Sequence, residues 1–249
     1  MGELAEVNDF IASSRRVADD DALHGLMDAV TQEMGFDYFS LVQFDMSLEH
    51  GRRSLIAISS YPAGWVAELE ERKFYEDDPA YLASCRTSVG FQWSDIGDII
   101  PLSARQRLIL SRSRRAGLAD GFTVPAHVPG ESNGLATFVV RARRSLPVRR
   151  LPMAQLVGAF AYEGARRLRR VKGEARLPTP LTQRQVDCVL LVARGKTDWE
   201  ISRILGIAED TVTEHVDAAR GRYGVARRSQ LVVRALYDGW FSLTDAMGR

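Results

Sequence analysis

The chain has 249 residues, of which 45% are hydrophobic and 26% charged, and its 33 Lys and Arg residues against 32 Asp and Glu residues leave a formal net charge of +1. This composition is typical of a globular protein of one or two domains and excludes a disordered chain. No run approaches the roughly 18 apolar residues of a membrane span, and the acidic N-terminus is unlike a signal peptide, so we expect a cytoplasmic protein.

The first 172 residues mix helical and strand patterns. Apolar residues at helical spacing predict helical structure over Val7–Met34. Short apolar segments predict four strands, at Tyr38–Phe44, Leu55–Ser60, Phe122–Val128 and Leu135–Arg141. A helical and loop region rich in aromatic residues, 63–118, lies between the two strand pairs. Strand pairs separated by helices predict an α+β fold, an α/β/α sandwich whose mostly antiparallel sheet is covered by helices on both sides.

A long amphipathic helix is predicted over residues 151–171. Its apolar face is formed by Leu156, Val157, Phe160, Ala161, Leu168 and Val171. Gly173, Pro178 and Pro180 then disfavour regular structure, which predicts a linker at 173–180 between a first domain, 1–172, and a second, 181–249.

The second domain has only helical periodicity. Thr182 is the expected N-cap of its first helix, and Asp198 the expected cap of a short second helix that carries Ile201, Ile204 and Leu205. A third helix is predicted from about residue 209 to 222 and a fourth from about 229 to 240. The second and third helices meet across a Gly206 turn, which indicates a helix-turn-helix whose later helix enters a DNA major groove.

Many fixed positions support this interpretation. They are Leu181-Thr182-x-Arg184, Ala193-Arg-Gly195-Lys196-Thr197-x-x-Glu200-Ile201-Ser202-x-x-Leu205-Gly206-Ile207, Thr211-Val212-x-x-His215-Val216 and Tyr223-Gly224-Val225. Together they closely resemble the LuxR-type helix-turn-helix signature. The chain departs from it at Gln185, where the family has Glu, and at Arg227, where Asn or Ser is usual. The resemblance implies an all-α C-terminal domain that binds a double-stranded DNA operator.

The recognition helix carries unusual charge for a DNA-binding element. With Val212 inward, the outward side holds Asp210, Thr213, Glu214, Asp217, Ala218 and Gly221. Carboxylates repel phosphates but accept hydrogen bonds from cytosine N4. We therefore expect weak sequence-independent binding, tight operator binding only as a dimer, and phosphate contacts from flanking cations. The expected DNA-binding residues are Lys196, Thr197, Thr211, Thr213, Glu214, Asp217, Arg220, Arg227 and Arg228. Arg222 is a further candidate for a phosphate contact.

A dense aromatic and polar cluster lies in the first domain. It runs from Tyr61-Pro-Ala-Gly-Trp65 through Phe74-Tyr75 and Asp78-Pro79 to Trp93. Such aromatics can be ordinary core residues. As a set, however, an indole N–H, a phenol and an acceptor-only carboxylate complement a ligand with carbonyls and an amide N–H.

This cluster resembles the autoinducer-binding domain of LuxR-type quorum-sensing regulators. The resemblance extends to Gly35-Phe36, Ala116-Gly117-Leu118, Gly121-Phe-Thr-Val-Pro125 and Gly134-Leu-Ala-Thr137. It implies an N-acyl-homoserine lactone as ligand. Trp65 would donate to the lactone carbonyl, Asp78 would accept from the amide N–H, Tyr61 and Thr137 would bind the acyl carbonyl, and Trp93 would pack against the lactone ring.

The apolar wall of this pocket departs from the family. Leu69 replaces the usual Tyr, and Ala80 follows the Asp-Pro pair. Further wall residues are expected to be Phe74 and Leu135, with Phe44, Tyr75 and Tyr81 as additional candidates. Loss of a ring and a hydroxyl at position 69 leaves a straight, branched or aromatic acyl group open.

These observations predict a ligand-gated transcriptional regulator. It would act as a homodimer, with the 151–171 helix as a dimer element, on an inverted-repeat operator, and an activator would also contact RNA polymerase. A regulator of the same architecture that responds to a non-lactone signal or acts without ligand is the alternative. An enzyme is not expected, because Asp78, His127 and Cys85 form no known catalytic motif. Cys85 is expected to be at least half-buried and His127 to lie at a strand end, and no cofactor or metal is implied.

Charge is distributed unevenly along the chain. Residues 1–140 hold 12 basic and 21 acidic residues, residues 141–176 hold 11 and 2, and residues 177–249 hold 10 and 9. The basic segment can pair with the acidic remainder of its own domain, in cis or across a dimer, or lie along DNA flanking an operator. Pairing is the favoured use, so the prediction of DNA binding depends on the motif rather than on net charge.

Overall fold

The computed structural model describes residues 2–45, 53–129, 131, 133–172 and 179–248. Contacts divide the chain into two compact units, one formed by residues 1–127 and 132–175 and the other by 128–131 and 176–249. Most of the expected linker, 173–178, lies outside the described residues, so the domain boundaries stay a prediction. Each unit is described by itself.

The first unit is built on a five-stranded antiparallel sheet. Its strands are β1 (Tyr38–Asp45), β2 (Arg53–Ser59), β3 (Phe91–Gln92), β4 (Asp120–Ala126) and β5 (Gly134–Val140), in the order β2-β1-β5-β4-β3. The sequence predicted four of them and missed the two-residue β3. Strand β4 begins two residues earlier than predicted, because Asp120 pairs with Val140 and Ala126 with Gly134.

Three helices cover one face of the sheet: α1 (Gly2–Ser14), α2 (Asp20–Glu33) and α7 (Leu151–Val171). The helical structure predicted over Val7–Met34 is divided in the structure between α1 and α2. The Asp19 side chain accepts a hydrogen bond from the Ala22 amide at 2.8 Å, so it ends the first helical segment and starts a second. Phe39, Leu41, Phe122 and Phe138 project from the sheet into the core below these helices.

Helix α7 packs closely on the sheet. A Cβ added to Gly158 would lie 3.1 Å from the side chains of Ala136 and Val124, which shows how near the helix backbone comes. The buried stripe runs through Ala154, Val157, Ala161, Ala165 and Leu168. Leu156 and Val171 were predicted on this stripe but lie off it, 41% and 76% exposed.

The basic segment pairs within its own unit. Arg144 contacts Asp37 at 2.6 Å, and Arg169 and Lys172 both contact Asp20, at 2.6 and 3.1 Å. Further along the same surface, Arg150 contacts Glu6 at 3.0 Å, and Arg166 and Arg170 both contact Glu163. Pairing with residues 1–140, favoured from the sequence, is therefore found for Arg144, Arg150, Arg169 and Lys172, whereas Glu163 belongs to the basic segment itself.

The opposite face of the sheet carries shorter elements, which completes the predicted α/β/α sandwich. They are helices α3 (Ala63–Glu71), α4 (Pro79–Ser84), α5 (Ile96–Ile99) and α6 (Ala104–Arg115), with single 3-10 turns at Phe74–Glu76 and Trp93–Asp95. Proline residues at the beginnings of α3 and α4 fit the first turn of a helix, where the missing N–H costs nothing.

The second unit is entirely helical, as predicted. Its helices are α8 (Gln183–Ala193), α9 (Asp198–Leu205), α10 (Glu209–Tyr223), α11 (Arg228–Tyr237) and α12 (Leu243–Ala246). Helices α9 and α10 form the helix-turn-helix, and Gly206 ends α9 with a φ of 67°. The sequence missed α12 and extended α11 to Trp240, although α11 ends at Tyr237.

The predicted cap at the start of the helix-turn-helix was wrong. Thr197, not Asp198, caps α9, because the Thr197 hydroxyl accepts from the Glu200 amide while the Glu200 carboxylate accepts from the Thr197 amide. On α9, Ile201 is buried and Ile204 is 55% exposed. By contrast, Thr182 caps α8 as predicted, and the Gln185 side chain completes that capping box, so Gln can serve there in place of Glu.

Candidate functional site

One rung of the sheet carries four hydroxyl groups. Ser59 pairs with Ser40, Ser40 with Thr137, and Thr137 with Thr123. Because strand side chains alternate and the neighbouring residues enter the main core, these four face the side of α3 to α6. Thr123 and Thr137 are buried, and their hydroxyl oxygens lie 3.1 Å apart. A polar strip therefore crosses an otherwise apolar sheet surface.

Trp93 is fixed at the end of this strip. Its indole N–H donates to the Thr123 hydroxyl at 3.0 Å. The ring lies over Gly121, where an added Cβ would come within 2.8 Å of its Cε2 atom and 3.0 Å of the Phe138 carbonyl oxygen. The sequence did not single out Thr123, although its position within Gly121–Pro125 and opposite Thr137 was a usable signal.

Tyr61 and Trp65 lie beside the strip at the start of α3. Trp65 is buried against Phe74, with ring centroids 6.3 Å apart, and Tyr61 meets Tyr38 edge-on at 6.5 Å. Leu69 packs into the same group. Among the side chains that the structure describes, no hydrogen bond is made by the Tyr61 hydroxyl or the Trp65 indole N–H. Two directional polar groups are thus placed within an apolar wall.

Asp78 lies close to Tyr61 and also has a local structural role. Its Oδ1 atom accepts from the amides of Ala80 at 2.8 Å and Tyr81 at 3.4 Å, which caps α4. Burial raises the pKa of the Tyr61 phenol, and the negative charge of Asp78 raises it further. The Tyr61 hydroxyl therefore keeps its proton at physiological pH and can donate a hydrogen bond.

The apolar residues around these groups form several separate clusters. The main core on the opposite face is one continuous cluster, whereas this face has separate groups around Trp65 and Phe74, around Ala80 and Phe91, and around Tyr81 and Leu135. The predicted ligand-binding residues whose side chains are described either belong to these apolar clusters or are the polar side chains beside them. The side chain of Phe44 lies outside the described residues. Two surface hollows of about 380 and 210 Å³ lie along α6, and no predicted ligand-binding residue lines them.

His127 and Cys85 do not form a catalytic pair. One His127 nitrogen lies 2.9 Å from the Asn133 side-chain oxygen and the other 2.9 Å from the Ser84 carbonyl oxygen. Cys85 was expected to be at least half-buried, but it is exposed, because it ends α4 at the surface. Among the described residues, no three His, Cys, Asp or Glu side chains are arranged to hold a metal ion. Nor does any described helix have the length and hydropathy to cross a membrane.

In the second unit, α10 presents a distinct outer face. Val212, Val216 and Ala219 are buried against the other helices. The exposed positions include Asp210, Glu214, Asp217, Ala218 and Gly221, as the sequence predicted, whereas Thr211 and Thr213 are partly buried. The outer face of this helix therefore has carboxylates near its beginning and small residues near its end.

Four of the cations expected to contact DNA have partners inside the unit. Lys196 contacts Glu200 at 3.1 Å, Arg220 contacts Asp217 at 2.8 Å, and the Arg222 guanidinium donates to the Pro180 carbonyl at 2.6 Å. Arg228 donates to both carboxylate oxygens of Asp198, at 2.7 and 2.5 Å. The Thr213 hydroxyl donates to the same carboxylate at 2.9 Å. Arg227 is exposed at the start of α11.

The contact between Asp198 and Arg228 shifts the pKa of both side chains. Hydrogen bonds from Arg228 lower the pKa of the Asp198 carboxyl, and the Thr213 hydroxyl contributes in the same direction. Hydrogen bonding to Asp198 in turn raises the pKa of Arg228. Each group thus stabilises the charged form of the other.

Comparison with known proteins gives matches over both units. A family model described as "Autoinducer binding domain" matches residues 19–165, and one described as "Bacterial regulatory proteins, luxR family" matches residues 179–235. The HTH-type quorum sensing-dependent transcriptional regulator RpaR of Rhodopseudomonas palustris is 30% identical over 193 residues, covering 78% of each chain. The transcriptional activator protein AhyR of Aeromonas hydrophila is 27% identical over 229 residues, covering 90% of this chain and 87% of AhyR.

A solved structure shares the fold. SdiA of Escherichia coli, in complex with octanoyl-rac-glycerol, superimposes with a TM-score of 0.73 at 19% identity, covering 96% of both chains.

Proposed function

Because the chain belongs to the LuxR family of autoinducer-binding transcriptional regulators, we propose that its first unit binds an N-acyl-homoserine lactone and its second an inverted-repeat DNA operator. Its relatives are transcriptional regulators, not enzymes. The active species is a homodimer with α7 at its interface, because the symmetry of an inverted repeat matches that of a two-fold dimer. It works in the cytoplasm, where promoter DNA lies. If it acts as an activator, it also contacts RNA polymerase.

In this proposal each polar group of the pocket has one role. Trp65 donates to the lactone carbonyl, Asp78 accepts from the amide N–H, and Tyr61 donates to the acyl carbonyl. The Thr137 hydroxyl, which is hydrogen-bonded to the Thr123 hydroxyl, contacts the same carbonyl. Trp93 covers the lactone ring. Leu69, Phe74, Ala80 and Leu135 line the acyl chain.

The observation that carries the proposal is the placement of the Tyr61 hydroxyl and the Trp65 indole N–H. Tyr61 lies close to the Asp78 carboxylate, Trp65 packs in the same apolar group as Tyr61, and neither donor has a hydrogen-bond partner among the described residues. A ligand that supplies two carbonyl oxygens and one N–H satisfies these groups and joins the divided apolar groups into one core. Ligand binding therefore stabilises the folded first unit.

The same architecture supports a second candidate, a regulator that answers a non-lactone signal or needs no ligand. SdiA is described in complex with octanoyl-rac-glycerol, which has an acyl chain and an ester carbonyl but no amide N–H. For such a ligand Asp78 would accept from a glycerol hydroxyl instead of an amide N–H. Leu69, in place of the usual Tyr, favours this candidate, because it removes one hydroxyl from the pocket.

Mass spectrometry separates the two candidates. The full chain is expressed with a mixture of straight-chain, branched and aromatic acyl-homoserine lactones, purified, and denatured to release bound molecules. The lactone proposal predicts one lactone class at close to one molecule per chain. Recovery of an acylglycerol alone would favour the non-lactone candidate, and recovery of no small molecule from folded protein would favour ligand-free action.

A further inference from the structure

The second unit neutralises its own cations where a DNA-binding domain would be expected to display them. Lys196, Arg220 and Arg228 each pair with a carboxylate of the same unit, namely Glu200, Asp217 and Asp198. The Lys196–Glu200 and Arg220–Asp217 pairs join residues four and three apart along the chain, and their side chains are 31–56% exposed. The third pair, between Arg228 and Asp198, joins two different helices, and the Asp198 side chain is only 14% exposed.

The Arg228–Asp198 pair has the geometry of a phosphate contact. Two guanidinium nitrogens meet two carboxylate oxygens at 2.7 and 2.5 Å, and this two-pronged arrangement is the one by which arginine binds phosphate. The Thr213 hydroxyl of α10 holds the same carboxylate at 2.9 Å. Asp198, at the first position of α9, thus links both helices of the helix-turn-helix to the start of α11.

We infer that Asp198 takes the place of a DNA phosphate: it holds Arg228 away from the DNA backbone and so suppresses sequence-independent binding. The inference rests on the proposed DNA-binding function. Asp198 itself touches no DNA and is a positioning residue. With Arg228 withheld and the exposed Asp210 and Glu214 carboxylates repelling phosphates, binding depends on base contacts from α10, and this raises the ratio of specific to non-specific affinity.

Salt dependence provides the test, because each phosphate neutralised by a cation steepens the plot of log affinity against log salt by about 0.9. The full chain is titrated against a labelled duplex of random sequence between about 50 and 200 mM KCl. Asp198→Asn keeps the size of the side chain but weakens its hold on Arg228. It should steepen the slope by about 0.9, so that the affinity ratio between the two salt concentrations rises about 3.5-fold.

Three further variants make the result specific. Asp187→Asn on α8 removes the same charge, but this carboxylate accepts from Gln183 and has no cation partner among the described ion pairs, so the slope should stay unchanged. In the Asp198→Asn/Arg228→Gln double variant, the slope should return to the wild-type value. Arg228→Gln alone should leave the slope unchanged, and because this variant keeps Asp198, it gives an answer even if Asp198→Asn fails to fold.

Two outcomes would overturn the inference while the proposed function stands. One is a wild-type slope in folded Asp198→Asn, and the other is a slope about 0.9 shallower in Arg228→Gln, which would make Arg228 a phosphate contact. A wild-type chain that binds no duplex at about 50 mM KCl would contradict the proposed function, and this inference with it.

Discussion

Substitution of Asp78 separates its two roles. The carboxylate caps α4 by accepting from the Ala80 and Tyr81 amides, and in the proposed function it also accepts from the ligand amide. Asn is as good an N-cap as Asp, whereas Ala provides no side-chain acceptor. Asp78→Asn therefore keeps the cap and removes the negative charge, while Asp78→Ala removes both.

The expected magnitudes follow from these contacts. Without ligand, Asp78→Ala should lower the free energy of unfolding by about 1 kcal/mol, the usual cost of a lost cap, or about 2–4 °C in melting temperature for a protein of this size. Asp78→Asn should change it by less than about 0.5 kcal/mol. A hydrogen bond to a charged acceptor contributes about 1.5–3 kcal/mol, so both variants should bind the lactone roughly 10- to 150-fold more weakly.

Two assays are needed because stability and response are separate quantities. Thermal unfolding with and without added lactone gives the cap energy and the ligand-induced stabilisation, and a promoter-reporter titration gives the half-maximal lactone concentration. If Asp78→Asn responds at the wild-type lactone concentration, Asp78 is a helix cap only, and the lactone assignment fails at this residue.

Three other substitutions test separate parts of the structure. Gly121→Ala should lower the free energy of unfolding by about 1–3 kcal/mol, because the added Cβ would lie 2.8 Å from the Trp93 ring. Gly64→Ala in α3 has open space around it and should raise the free energy of unfolding by roughly 0.5–1 kcal/mol. Equal effects of the two variants in denaturant unfolding would contradict this packing. Burial raises the pKa of Asp120, so its ionised form costs stability at neutral pH and that cost disappears as pH falls through the raised pKa. Asp120→Asn, which keeps an acceptor for the Gly121 amide, should thus be more stable than wild type at pH 7 and equal to it near about pH 3; a constant difference across this range would refute the cause. Leu156→Lys on the exposed side of α7 should weaken the proposed dimer about tenfold or more in sedimentation equilibrium, and an unchanged dimer would place the interface elsewhere.

Local chemistry made the helix-turn-helix predictable. Thr182, Gly195 and Gly206 are cap and stop residues whose effects act within one helical turn, and α8 and α9 begin or end beside them. The errors came from competition between neighbouring candidates. Thr197 and Asp198 can both cap a helix, and only the return contact from Glu200 decides between them.

Longer-range features of the first unit were less accessible from the sequence. The break between α1 and α2 depends on the Asp19 cap inside a continuous apolar pattern, so periodicity alone does not locate it. Strand β3 is two residues long and exists through its pairing with β4. The register of β4 against β5 sets Thr123 opposite Thr137, and the Trp93 indole N–H donates to the Thr123 hydroxyl. Both contacts depend on the folded sheet and not on the local sequence.

Internal pairing of cations links the charge of the chain to the way it would recognise DNA. In the first unit the basic segment is held by Asp20, Asp37 and Glu6, and in the second the flanking cations are held by Asp198, Glu200 and Asp217. Each pair that stays closed on DNA removes one phosphate contact and hence one increment of sequence-independent affinity. A single second unit would then bind any duplex weakly. Two units joined by a dimer bring two sets of base contacts to one operator, so discrimination increases with dimerisation while non-specific binding stays low.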